Sequence, residues 1–398
     1  MKYGNVCPVC RSRYGRRIFS SPYPLPAAKT LNRLDYEICF LCGVIYPSNK
    51  PSVQQLHLYY KYHPDLNEPN HVKRGDRVLS FLKRNIEMRN KKILDIGCGD
   101  GYLLGQMRRE SGYLYGIEPN DKRRKSCSEL VKDAVVSESL SEIDPDMKFD
   151  LIVMTDVMEH LLEPQAILSR TKKMLAPNGF FYVDIPDVSG KGFISDLFFP
   201  HIHHFSKDNF QLFLRRNGFN INDSDNYDMG TTFLRMFFCA AEDKNSGKLV
   251  VPAASARSAA CRIEMNVMKK LEGLDRFLNA ALLKLEQSLF QRKGAALVIY
   301  PCGLQIQMLL QKFFSKLPEN VFLIDRNSVL QDKSISGVSV KPPEVLPSIV
   351  DDGAFILFAS GDMNTNKALM EYVKSICREK FESDCLFFNG KATAALRQ

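Results

Sequence analysis

The chain has 398 residues, 45% of them hydrophobic and 25% charged, with eleven cysteines and a formal charge of +9 at pH 7. This length exceeds what one hydrophobic core usually supports, so two or three domains are expected, and the composition excludes disordered and collagen-like classes. No run approaches the ~20 apolar residues of a membrane span, and Met1 to Cys7 lacks the apolar stretch of a signal peptide, so a cytoplasmic protein is expected.

The basic runs Arg11 to Arg17 and Lys122 to Lys125 are short and interrupted, with no nucleic-acid-binding signature beside them, and read as solvated surface. An odd number of cysteines, scattered singly outside two close pairs, suits a reducing compartment better than a disulfide framework.

Residues 1–60 are rich in Pro, Tyr and Cys with little helical periodicity, as in a small module that needs a staple. The pairs Cys7-Pro8-Val9-Cys10 and Cys39-Phe40-Leu41-Cys42 offer four thiolates in two chelating turns, the donor set of closed, structural zinc sites. The 28 residues between Cys10 and Cys39 exceed the usual zinc-ribbon spacing, and His57 and His63 are spare ligands nearby.

A second domain is expected over 61–245. Val78, Leu79, Leu82 and Ile86 repeat at helical spacing and lead into a strand ending at Asp95. A glycine loop, Asp95-Ile96-Gly97-Cys98-Gly99-Asp100-Gly101, follows. Then come a helix, a strand Tyr113 to Glu118, another helix, a short strand near Val135, a buried-type strand Asp150 to Met154, a helix Ala166 to Leu175 and a strand Phe180 to Ile185. This alternation predicts an α/β, doubly wound parallel sheet with ligands at the carboxyl ends of the strands. Phe219 to Asn222 and Phe233 to Ala240 lie too close for a helical crossover and predict an antiparallel pair.

Residues 255–292 predict an amphipathic linker helix, with Val267, Leu271, Leu274, Leu278, Leu282, Leu285 and Leu289 on one face; it either packs within the chain or makes a homodimer through 263–290. Residues 293–398 alternate again, with strands at Ala295 to Tyr300, Val321 to Asp325 and Ala354 to Phe358, and predict a carboxyl-terminal Rossmann-like α/β domain. Its first turn, Pro301-Cys302-Gly303, lacks a dinucleotide fingerprint.

Glycines at 97, 99 and 101 let backbone approach a ligand closely, and Glu118 ends the next strand, where a carboxylate can accept both hydroxyls of a ribose. Asp156 ends the fourth strand, where it can meet an adenine edge or a cationic amino group. The glycine loop, Gly116-Ile117-Glu118-Pro119, Phe149 to Val153 with Val157-Met158-Glu159-His160-Leu161, and Leu175 to Gly179 together resemble class I S-adenosylmethionine-dependent methyltransferases in order and spacing.

The resemblance implies S-adenosylmethionine as cofactor. Asp95, Gly97, Cys98, Gly99, Gly101 and Tyr102 would surround its amino-acid part, Glu118 and Pro119 its ribose, and Asp156, Val157 and Met158 the neighbourhood of its sulfonium. With a zinc module ahead and an α/β domain behind, the chain resembles three-domain sugar C-methyltransferases, which implies a nucleotide-linked sugar as acceptor, methylated on carbon or oxygen. The segment His201-Ile202-His203-His204-Phe205-Ser206 looks like their substrate-side loop, and a histidine there can take the acceptor's proton. His204 is the first expectation for the base, then His160 beside the sulfonium and His201, with Tyr59, Tyr60 and Tyr62 lining the acceptor pocket. The residues around Tyr62-His63-Pro64-Asp65 depart from the sugar enzymes.

Two other classes fit less well. A nicotinamide-dependent oxidoreductase prefers Gly-x-Gly-x-x-Gly, whereas the third glycine here comes one residue early. A non-catalytic, zinc-stapled assembly protein would have little use for intact cofactor motifs.

Overall fold

A computed structural model describes residues 5–23, 32–62, 71–190, 199–228, 232–240, 260–273, 296–301, 320–326, 338–350, 354–361, 363–377, 385–389 and 392–396, together with 197, 276, 330–331 and 334–335. By compactness the chain divides into one unit of residues 1–20 and 34–267 and another of residues 21–33 and 268–398.

Three strands, β1 (Gly15–Tyr23), β2 (Asn32–Cys39) and β3 (Ile45–Pro47), form a small sheet in that order, followed by α1 (Val53–Tyr62). The larger sheet begins after α2 (His71–Asn85). Its strands are β4 (Lys92–Ile96), β5 (Tyr113–Ile117), β6 (Val135–Ser137), β7 (Phe149–Thr155), β8 (Leu175–Pro186), β9 (Phe219–Asp228) and β10 (Thr232–Ala240), in the spatial order β6-β5-β4-β7-β8-β10-β9. The connecting helices are α3 (Tyr102–Met107), α4 (Asp121–Leu130), α5 (Pro164–Met174) and α6 (Lys207–Arg216).

Strands β4 to β8 pair in parallel, and the order reverses between β4 and β7, which sets a crevice at their carboxyl ends. The expected antiparallel pair is present: β10 inserts between β8 and β9 and runs antiparallel to both.

Period-2 alternation explains why both faces are covered. Along β7, Ile152 and Met154 join a core with Leu168 and Met174 of α5 and Phe210 and Phe213 of α6, while Leu151 and Val153 join Val78, Phe81 and Leu82 of α2 and Leu104 of α3.

The first of these cores also holds Cys7, Val9, Cys39, Cys42, Val44 and Tyr46. Compactness therefore groups most of the cysteine-bearing sheet with the larger sheet instead of setting 1–60 apart. The physical link is backbone pairing across a long sequence interval: Ile45 N donates to His204 O at 3.2 Å and His204 N donates to Ile45 O at 2.9 Å.

A helix, α7, covers 260–273, and the remainder of the expected 263–290 helix lies almost wholly outside the described residues. Ala260, Ile263 and Val267 are buried on one face, and a Cβ on Gly43 would lie 2.7 Å from Ile263 Cδ1. Gly43 has φ +74, so only a residue without a side chain allows this approach comfortably. The first turns of the helix thus pack within the chain.

In the second unit, β11 (Leu297–Tyr300), β12 (Val321–Ile324), β14 (Val338–Lys341), β15 (Phe355–Gly361) and β16 (Cys385–Asn389) pair in parallel, with β13 (Ser334–Ile335) and β17 (Ala392–Leu396) antiparallel at the edges. Helices α8 (Leu346–Val350) and α9 (Met363–Cys377) accompany this sheet.

Candidate functional site

The glycine loop leaves β4 at the switch point, with Gly97, Gly99 and Gly101 at φ +83, +57 and +87. Two of the three are hemmed in: a Cβ would lie 2.3 Å from Val157 Cγ2 at Gly97 and 2.7 Å from Cys127 Sγ at Gly101. At Gly99 a Cβ would meet nothing within 4 Å, so this glycine faces open space beside the strand ends.

Glu118 leaves β5 alongside. Its buried carboxylate accepts the Gly99 N–H at 3.0 Å and the Asn120 N–H at 2.8 Å, which ties the two strand ends together. Asn120 in turn caps α4, its side chain accepting from Lys122 N and Arg123 N, both at 3.1 Å. Burial holds the Glu118 carboxyl above its ordinary range. Asp95 is almost wholly buried, its Oδ1 has no hydrogen-bond partner, and burial, followed by the charge of Glu118, pushes it up to about 7. An open cradle at Gly99, an orphaned acid at Asp95 and a fixed acid at Glu118 fit a ligand with an ammonium group and a ribose.

The other expected cofactor residues are distributed more unevenly. The Cys98 thiol points inward, 3.7 Å from Cys127 Sγ, so only its backbone faces the loop. The Tyr102 hydroxyl donates to Asp76 Oδ1 at 2.8 Å, and its ring lies over Gly75. Pro119 is half-buried beside Glu118. Met158 is fully buried in the core, whereas Val157 stays partly exposed against Gly97.

Asp156 carries φ +51, a left-handed conformation that costs a non-glycine residue about 1 kcal/mol or more. It is held there by its own N–H on Asp184 O at 2.9 Å and by an ion pair to Arg74. Arg74, from α2, also pairs with the fully buried Asp184 at 3.1 Å and sits 4.0 Å over the Phe233 ring. The sequence reading missed Arg74, although a charged residue four positions before the buried Val78 was a usable sign.

The histidines divide into two groups. His160 and His201 have ring centroids 4.8 Å apart, with Tyr60 at 5.8 Å from His160. Burial pushes His160 down to about 3, so it is neutral near pH 7. His204 is buried between Tyr36, at 5.1 Å, and Phe19, at 6.2 Å, and its backbone carries the bridge to β3. Glu159, also missed, is almost wholly buried and neither carboxylate oxygen has a hydrogen-bond partner.

Cys7, Cys10, Cys39 and Cys42 converge, with all four Sγ atoms within 4.8 Å of one another. Cys7 to Cys42 is 3.6 Å and Cys10 to Cys39 is 3.4 Å, too long for disulfides. They are near the edge of a tetrahedron built on zinc–sulfur bonds of ~2.3 Å, so the residues fit a closed thiolate site. His57 instead pairs with Glu138 at 3.4 Å; His63 and the Tyr62 side chain lie outside the described residues.

Residues 71–224 match a family model described as a methyltransferase domain. The ubiquinone biosynthesis O-methyltransferase of Bradyrhizobium diazoefficiens is 31% identical over 128 residues, 30% of this chain and 50% of that protein. The enzyme of that name from Neisseria meningitidis serogroup C is 24% identical over 126 residues, 29% of this chain and 52% of that protein. The chain thus spans about half the length of the curated relatives it matches.

Among solved structures, magnesium protoporphyrin IX methyltransferase from Synechocystis PCC 6803 with bound SAH aligns at 15% identity and TM-score 0.36, over 49% of this chain and 90% of that one. An S-adenosylmethionine-dependent methyltransferase from Clostridium acetobutylicum aligns at 13% identity and TM-score 0.38, over 47% and 97%. No helix among the described residues is long and apolar enough to cross a membrane. Residues 71–224 thus match a methyltransferase domain, and within them lies most of the seven-stranded sheet whose order is β6-β5-β4-β7-β8-β10-β9.

Proposed function

We propose that the protein transfers the methyl group of S-adenosylmethionine to a small polar acceptor, a nucleotide-linked sugar, at oxygen or carbon. The observation that carries the reading is the joint geometry of Gly99, Glu118 and Asp95, an open cradle and two buried acids at the switch point. Gly97, Gly99 and Gly101 with Asp95 would hold the amino-acid part of the cofactor, Glu118 its ribose, and the turn 156–158 its reacting end. S-adenosylmethionine, when bound, supplies an electrophilic methyl group on a sulfonium.

The chain's own residues supply position and dryness. Arg74 clamps Asp156 and Asp184, which fixes the turn that leads to Glu159 and His160. The pocket around His160 and His201 receives and orients the acceptor's nucleophilic atom. Cys7, Cys10, Cys39 and Cys42 hold a structural zinc in this reading, and the reaction is cytoplasmic.

Methylation on oxygen of an acceptor in ubiquinone biosynthesis is the second reading, after the names of the relatives that match the methyltransferase domain, and a catechol serves as its probe. Labelled methyl transfer from S-adenosylmethionine to a panel of nucleotide-linked keto-sugars and catechols separates the two. Turnover of a keto-sugar supports the first reading, turnover of a catechol replaces it with the second, and turnover of neither by cofactor-binding protein refutes both acceptor classes.

A further inference from the structure

We infer that Glu159, His160 and His201 form a binding site for a divalent cation at the acceptor end of the methyltransferase domain. One carboxylate oxygen and one nitrogen of each imidazole lie within 4.8 Å of one another. Among the described residues, no hydrogen-bond donor satisfies this carboxylate. Glu159 is 2% exposed and both its oxygens lack a hydrogen-bond partner, a costly arrangement for a buried acid unless a cation completes it.

The tautomer of His160 suits the same purpose. Its Nδ1 lies 3.0 Å from the Pro200 carbonyl, which only accepts, so Nδ1 carries the proton and Nε2 presents a lone pair. That nitrogen is 3.9 Å from Glu159 Oε1. An imidazole that donates one N–H to a backbone carbonyl and offers the other nitrogen is the usual form of a metal-ligating histidine.

The three groups are also held in place from the backbone. Ile202 N and His203 N donate to the Glu159 carbonyl at 2.7 and 2.9 Å, and the Tyr36 hydroxyl donates to the His201 carbonyl at 2.6 Å. The segment that carries His201 is thereby locked to the turn that carries Glu159 and His160, before any ligand arrives. Two imidazoles and one carboxylate suit zinc, cobalt, iron or manganese, and three protein ligands leave coordination positions open. Those positions would take acceptor oxygens. The cation's role in orienting the acceptor rests on the methyltransferase reading above; its binding does not.

The four-cysteine site is chemically distinct, and with zinc held there a titration reads the new site alone. Full-length protein, saturated with zinc at the cysteines, is titrated with Co2+ alone by calorimetry and visible absorption. The site predicts one further equivalent bound, with weak d–d bands and no intense thiolate charge-transfer band. Glu159→Gln and His201→Ala each weaken this binding at least tenfold while retaining the wild-type melting profile and S-adenosylmethionine affinity. If either variant is poorly folded, the other and the wild-type stoichiometry decide. The inference is overturned if wild type binds no Co2+ beyond the cysteine site, if the only new bands are thiolate bands, or if a folded variant binds as well as wild type. Co2+ binding without S-adenosylmethionine binding would leave the site standing and remove the methyltransferase reading; the reverse would remove the site alone.

Discussion

Replacing Asp95 by asparagine removes a buried charge and little else, since the two side chains share a shape. In the folded chain burial and the neighbouring Glu118 raise the Asp95 carboxyl from 3.8 to about 7. The folded form therefore holds a proton that the unfolded form releases at lower pH. Below about pH 4 both forms are protonated and the group has no effect on stability. Between about pH 4 and 7 stability falls as pH rises, and above about 7 the loss is complete. At ~1.4 kcal/mol per tenfold change the full loss is on the order of 4 kcal/mol, an upper figure because the buried acid can relax toward water.

Asparagine has no such dependence. Urea unfolding of wild type and Asp95→Asn, read through hydrogen exchange of the β4 amides, should show the variant gaining about 2 kcal/mol on wild type between pH 5 and pH 8. Taking the difference between the two proteins removes the parallel contribution of Glu159, which burial also pushes up to about 7. A difference that stays flat with pH would refute the assignment of a raised acid at this strand end.

Other outcomes follow from the same geometry. Gly99→Ala should cost only about 1 kcal/mol of stability, the left-handed penalty, yet abolish cofactor affinity, whereas Gly101→Ala should destabilise by more because its Cβ meets Cys127 Sγ at 2.7 Å; thermal melts with and without S-adenosylmethionine distinguish them. Elemental analysis should find that Cys39→Ser holds one zinc fewer per chain than wild type, and loss of that zinc should raise hydrogen exchange across β1 to β3, because Cys7, Cys39 and Cys42 sit in the shared core. His201→Ala should lower turnover at least a hundredfold with unchanged cofactor affinity, while His204→Ala should act through stability, since its ring packs on Tyr36 and Phe19; equal kinetic effects with unchanged melting would contradict that division.

The doubly wound sheet was legible because its signals are local. The unbroken apolar run Leu151 to Met154, three glycines after Asp95 and an acid at Glu118 all sit within single elements or turns. The antiparallel pairing of β9 with β10 was legible for the same reason, through the short interval between two strand-like runs. Long-range facts were not. Nothing in the spacing of Cys7 to Cys42 discloses that Ile45 pairs with His204, and so the cysteine-bearing sheet reads as a module of its own. The helix around Ile263 carries an apolar face, but its packing on Gly43 depends on a positive φ two hundred residues earlier in the chain. Arg74 and Glu159 were passed over because a charge between apolar residues reads as surface, while their burial appears only when α2 and the turn after β7 meet.

The central claim is that the strand ends at Asp95 and Glu118 form a cofactor site, and calorimetric titration of zinc-replete protein with S-adenosylmethionine and S-adenosylhomocysteine tests it most directly. Binding by the folded wild type that is lost in both Glu118→Ala and Gly99→Arg is the expected result. Absence of binding by folded wild type, or binding that survives both substitutions, would contradict the account.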